Sequence, residues 1–268
     1  MKTTETRLEE IRREGYDLDF SETFNTAFEV YKRTALIGGL AILVFFIVLI
    51  AIGFGIGVVM VGATATTKLF TDLRMENFSL VGQIIYIVSM CIIAGLSNPF
   101  SASLIKMCEK ADMGDDVSVG DAFICYKAPY FAPLFVEAIL VSAVTVTISQ
   151  IINGLFPFNI AMSLVGTLIS LLISFFMLMA APLIIFGKLN AIEAIKGSIV
   201  VVGKSPWVIL GLVIVGGMLS LVGLIGLCIG IVFTAPFMSS TYYAIYKNSV
   251  GVDDGSEIDE IGTQEYDY

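Results

Sequence analysis

Histidine is absent from this 268-residue sequence, and only 15% of the residues are charged, against about 25% in soluble domains. Its absence removes the commonest general base and metal ligand. Cysteine is scarce as well: Cys91, Cys108, Cys125 and Cys228 show no CxxC spacing, so neither a disulfide framework nor a zinc site follows, and they read as small hydrophobes. The glycines at 53, 55 and 57 lack the preceding strand and the lysine of a phosphate-binding loop and read as helix-packing positions. Asn77-Phe78-Ser79 is a glycosylation sequon, a triplet too common to carry an argument. No cofactor or metal is expected, and no enzyme signature is found.

What is abundant is apolar sequence: 57% of residues are hydrophobic and the mean hydropathy is +0.90. From Lys204 to Lys247 about forty residues pass without a charge, enough for two spans of about 20 residues and a tight turn near Gly223 and Gly226. Shorter runs at 35–61, 80–104, 130–152 and 160–186 predict four more. The fold class expected is therefore all-α: a polytopic membrane bundle of six transmembrane helices. Residues 1–19 have no apolar core of a signal peptide and are expected to stay cytoplasmic. Residues 20–248 form the membrane domain. The net charge of −9 is concentrated in the last residues, where Asp253, Asp254, Glu257, Asp259, Glu260, Glu265 and Asp267 carry −7 of it; 249–268 is expected to be a disordered acidic tail.

Each pair of spans is preceded by an amphipathic stretch. Phe20, Phe24, Ala27, Phe28 and Tyr31 recur at helical spacing; Val117, Ala122, Phe123 and Tyr126 do so again; Leu189, Ile192, Ile195, Ile199 and Val202 stand against Glu193 and Lys196. These read as interfacial helices. AFEVYK at 27–32 parallels AFICYK at 122–127, and KAPY at 127–130 parallels KSPW at 204–207. NPF, APL and APF place Pro99, Pro182 and Pro236 late in the second span of each pair, where a kink or local unwinding is expected. Three repeats, about 20–105, 117–187 and 189–248, are expected, each an amphipathic helix followed by a helical hairpin.

All lysines and arginines except Lys68 and Arg74 fall on one side of this arrangement. The positive side is cytoplasmic, so both termini are expected inside and the 64–77 loop outside, in the inner, cytoplasmic membrane. Lys32, Lys127 and Lys204, at the entries to the spans, are expected to meet anionic lipid of the inner leaflet.

The 189–247 segment, with KSPW, then GLIGLCIGIVFTAPF at 223–237 and YYAIY at 242–246, resembles a group of uncharacterised bacterial six-span integral membrane proteins. That group is related to the membrane-embedded domain attached to some glycerophosphodiester phosphodiesterases. The resemblance implies architecture rather than activity, because this chain lacks the soluble catalytic domain and the histidines of that enzyme.

One acid lies well inside an apolar run. Glu137 sits about two turns beyond Pro129, and Thr145, Ser149 and Asn153 follow it at spacings of eight, four and four. An acid near the centre of a span costs about 2.5 to 3.5 kcal/mol on insertion scales, and such residues face a bundle or a wet cavity; the stripe is expected to face inward. Three functions are compatible with these features: a membrane scaffold or accessory subunit, a carrier or channel for a small solute or lipid, and an intramembrane enzyme. The lack of reactive groups favours the first. The expected partners are the lipid bilayer and another membrane protein or a second copy of the chain, with no nucleic acid.

Overall fold

A computed structural model describes residues 3–61, 80–156, 159–223 and 233–252. Among them every regular element is helical. In chain order these are α1 (Thr4–Glu14), α2 (Phe20–Val61), α3 (Leu80–Asp112), a 3-10 helix (Val119–Tyr126), α4 (Phe131–Leu155), α5 (Ile160–Phe176), α6 (Ala180–Ile185), α7 (Ala191–Lys204), α8 (Pro206–Val222) and α9 (Pro236–Ser249).

Among the described residues four stretches are long and apolar enough to cross a membrane: Phe20–Gly55, Gly82–Asp112, Phe131–Leu155 and Ile160–Ile185. The α7–α8 pair, bent by 97° at its break, makes a fifth if taken as one span. The sixth expected span is not established. Its turn and first half fall on 224–232, outside the described residues, as do the 64–77 loop and 253–268 of the acidic tail. Its second half, α9, has 14 residues, about 21 Å of helix, shorter than a hydrocarbon core of about 30 Å.

The three amphipathic stretches take three forms. The first is no separate interfacial helix: α2 runs unbroken for 42 residues, because no glycine or proline interrupts the join at 31–35. The second is the 3-10 helix, with Ala122 and Cys125 buried. The third, α7, is a separate helix, but its small face is the one that packs. Ala191, Ala194, Gly197 and Ser198 are buried, while Ile192 is 56% and Ile199 46% exposed. Close helix contact selects small residues in the first turns, so Ile192 and Ile199 face outward, whereas Leu189 before the helix and Val202 in its last turn are buried.

The main core gathers at one end of the bundle, where Ile11 of α1, Leu183 and Ile184 of α6, Val201 and Val202 of α7, and Tyr243 and Tyr246 of α9 are all nearly inaccessible. The first 19 residues thus join the core through Ile11 and Leu18. Along α2, α5 and α8 large apolar side chains are instead exposed, among them Phe46, Ile50, Leu164, Leu168 and Met218. Lipid tails are as apolar as leucine, so burial inside a bilayer has no hydrophobic drive; exposed apolar surface of this extent is what a lipid-facing span presents. Gly53 and Gly55 have no neighbour within 4 Å of an added Cβ among the described residues, so the expected packing face there is not seen, whereas Gly166 lies against Ile152. At Gly38 an added Cβ would stand 3.1 Å from Pro236 and 3.2 Å from Met107, which lets α9 and α3 approach α2.

The connection into the 3-10 helix is fixed by Asp121. It accepts from the Ser118 N–H at 2.7 Å and the Ser118 hydroxyl at 2.9 Å, and pairs with Lys110 of α3 at 3.0 Å. Burial on its own raises the carboxyl, but these hydrogen bonds and the ammonium outweigh it and hold Asp121 below the usual carboxylate range. A pKa lowered on folding stabilises above the unfolded value of about 3.9, and that contribution is lost as pH falls through the folded value. Asp121→Ala is expected to cost about 1 kcal/mol at pH 7 and progressively less as the solution is acidified below about pH 4. Thermal unfolding followed by the loss of helical circular dichroism measures this; an equal loss at pH 3 and pH 7 would refute it.

Candidate functional site

Glu137 lies six residues beyond Phe131, about 9 Å along α4, and is only 6% exposed. Its Oε2 accepts from Asn98 Nδ2 at 2.7 Å, and the same nitrogen donates to the Leu134 carbonyl at 2.9 Å. Both partners are acceptors, so the amide can be placed only with its NH2 toward them. Asn98 therefore orients the acid and contributes no charge to it. Among the described residues no cation pairs with Glu137; Lys106, on the same helix as Asn98, pairs with Glu109 at 3.1 Å.

Beside this pair is a cavity of about 300 Å³. Its polar lining comes from Glu137, Asn98, Ser101, Ser239 and Tyr242, and its apolar lining includes Met177, Leu178 and Met238. Four segments contribute: α3, α4, the stretch from the α5–α6 break into α6, and α9. Three of these are the segments that carry Pro99, Pro182 and Pro236.

The prolines differ in their local effect. Helical residues continue through Pro99 inside α3, with the Ser103 hydroxyl donating to the Pro99 carbonyl at 2.7 Å and accepting from the Cys125 N–H at 3.0 Å. At the second proline the chain leaves helical geometry at 177–179 and resumes it in α6, which contains Pro182. Pro236 is the first residue of α9; residues 233–234 before it are helical and 235 is a turn, so the helix is interrupted at this proline, and a first-turn position needs no N–H. Ser198 of α7 bridges the 177–179 break, donating to the Phe176 carbonyl at 2.7 Å and accepting from the Met179 N–H at 2.9 Å.

The stripe on α4 divides between two neighbours. Eight residues of helix leave an offset of about 80°, so Thr145 does not continue the Glu137 face. Glu137 turns to α3, whereas Ser149 meets Ser170 of α5 at 3.0 Å and Asn153 Oδ1 accepts from Ser163 at 2.9 Å. The Thr145 hydroxyl donates back to the Val141 carbonyl of its own helix. Lys32, Lys127 and Lys204 are exposed; Lys32 pairs with Glu29 at 2.7 Å and lies over the Phe28 ring.

Sequence reading points to Glu137 but not to Asn98, the residue before Pro99. The signal was there: an amide well inside one apolar run and an acid inside the next. Ser239 and Tyr242 carried no such signal.

Comparison with family models, with curated proteins and with solved structures gives no match. Nothing in it links the chain to the glycerophosphodiester phosphodiesterase-related proteins.

Proposed function

We propose that this chain is a noncatalytic multi-pass protein of the cytoplasmic membrane that binds a small solute in the Glu137 cavity, as a carrier does. The observation behind this reading is the convergence of the one acid inside the apolar runs, an amide and three hydroxyl-bearing side chains on a cavity between four elements. A volume of about 300 Å³ falls at the lower end of the range for small-molecule pockets, about 300 to 1,000 Å³, which suits a small solute over a whole lipid. Six spans in three units, with both termini cytoplasmic, remain part of the proposal. Their support is the lysine and arginine asymmetry and the register of the lining residues. Asn98 and Ala181 immediately precede a proline; Ser101 and Met238 are each second after one; Ile105 and Tyr242 are each sixth after one. The scaffold or accessory-subunit reading is favoured by a different observation, the packed core at one end with α1 tied into it, a rigid platform for a partner.

Proteoliposomes separate the two. Uptake of at least one member of a panel of labelled amino acids, amines and sugars, lost in a folded Glu137→Gln variant, is expected of the carrier. No flux across the panel, with a second membrane protein co-purifying at fixed stoichiometry, would favour the scaffold. Orientation is checked with single cysteines in a background free of the native four. A membrane-impermeant thiol reagent added to intact cells is expected to label a cysteine at position 72 and leave one at position 115 unmodified; the opposite pattern inverts the topology.

A further inference from the structure

We infer that the Glu137 cavity recognises a small organic ammonium ion with a short apolar tail, an assignment that rests on the reading of this cavity as a solute site. Glu137 is nearly inaccessible, and Asn98 positions Oε2 through a nitrogen whose two hydrogens are both engaged. The acid is thus aligned, and among the described residues no cation pairs with it. An unpaired charge in such surroundings is costly, and a cation delivered by a ligand offsets that cost.

The cavity beside it discriminates among cations. An inorganic ion stripped of water asks for six or more close oxygens, whereas here Met177, Leu178 and Met238 supply apolar wall next to the acid. An alkylammonium matches both halves: its N–H groups meet the carboxylate, with the Ser101 and Ser239 hydroxyls on the same cavity as further acceptors, and its methylenes meet the methionines. The ring of Tyr242, which also lines the cavity, offers the ammonium a π face. The other charged groups of the neighbouring elements are engaged elsewhere: Lys106 with Glu109, and Lys247 of α9 with Asp112 of α3.

The test uses the full chain in nanodiscs and titration calorimetry with butylammonium, against butanol and sodium chloride at matched ionic strength. Saturable binding of butylammonium is expected, with butanol and sodium inactive, and Glu137→Gln is expected to weaken it about 30-fold or more. Ala181→Phe, which puts a large side chain on the cavity lining and leaves the acid in the sequence, is expected to abolish binding and keeps the test decisive if the Gln variant does not fold. Butanol binding as well as butylammonium, or an undiminished Glu137→Gln, overturns the ammonium assignment and leaves a neutral-solute site. Sodium competing on equal terms overturns it in favour of an inorganic ion. Binding of none of the three, together with no flux across the solute panel, overturns the solute site itself.

Discussion

Ser198→Ala is expected to destabilise the protein by about 2 to 5 kcal/mol, because one hydroxyl satisfies two backbone groups that the α5–α6 break leaves open. Ser198 is fully buried, its oxygen taking the Met179 N–H and giving its hydrogen to the Phe176 carbonyl. Each buried backbone group left without a partner costs about 1 to 3 kcal/mol. Ser198→Thr retains the hydroxyl and is expected to be milder; Ser198→Val, with similar bulk and no hydroxyl, is expected to be at least as harmful as the alanine. Thermal unfolding in nanodiscs at neutral pH, read by a thiol-reactive dye that reports exposure of the buried Cys91, Cys108 and Cys125, distinguishes them. A valine variant as stable as the threonine one would show that shape and not hydrogen bonding matters at this position.

Leu183→Ala is expected to cost about 2 to 5 kcal/mol, the range for a fully buried leucine whose surroundings relax only in part. Leu183 has no accessible surface and lies where α6, α7 and α1 meet. A Cβ added at Gly197 would stand 3.0 Å from Leu183 Cδ1 and 3.0 Å from Leu8 Cδ1. Gly197→Ala alone is therefore expected to destabilise by overpacking, by about 1 to 3 kcal/mol. Combined with Leu183→Ala it is expected to cost less than the sum, since the added methyl enters the space the leucine leaves; a coupling of about 0.5 kcal/mol or more is the expected size for residues in contact. Strict additivity in the double-mutant cycle would place the two residues apart and contradict the packing described for this end of the bundle.

The contrast between these two sites and Glu137 shows how differently the sequence speaks. Length and apolarity of a run are local properties, and in a bilayer an apolar run has little choice: every backbone group must be bonded within the segment, so it is helical. That is why the long helices, the exposed apolar surfaces of α2 and α5, and the exposure of Lys32, Lys127 and Lys204 were open to reading from the chain alone. The oddity of an acid within an apolar run is local too, and it pointed to Glu137 directly.

Partner choice is not local. Whether the amphipathic stretch before a span bends away or continues it was decided by a single junction: 31–35 carries no helix breaker and α2 runs on, while Ser205-Pro206 turns α7 from α8 by 97°. Which face of α7 turns inward depended on how closely α6 and α1 approach, a distance that admits alanine, glycine and serine and excludes isoleucine. The polar stripe of α4 was read as one face, yet the 3.6-residue turn rotates it between two neighbours, giving Glu137 to Asn98 and Ser149 to Ser170. The sequence by itself determined the apolar helices and the unusual acid within one of them, because both follow from residues near one another in the chain. Only the tertiary structure decided that Asn98, Glu137, Ser239 and Tyr242 share a cavity, because their meeting depends on helices packed from distant segments, where small-residue contacts and single hydrogen bonds select the neighbour.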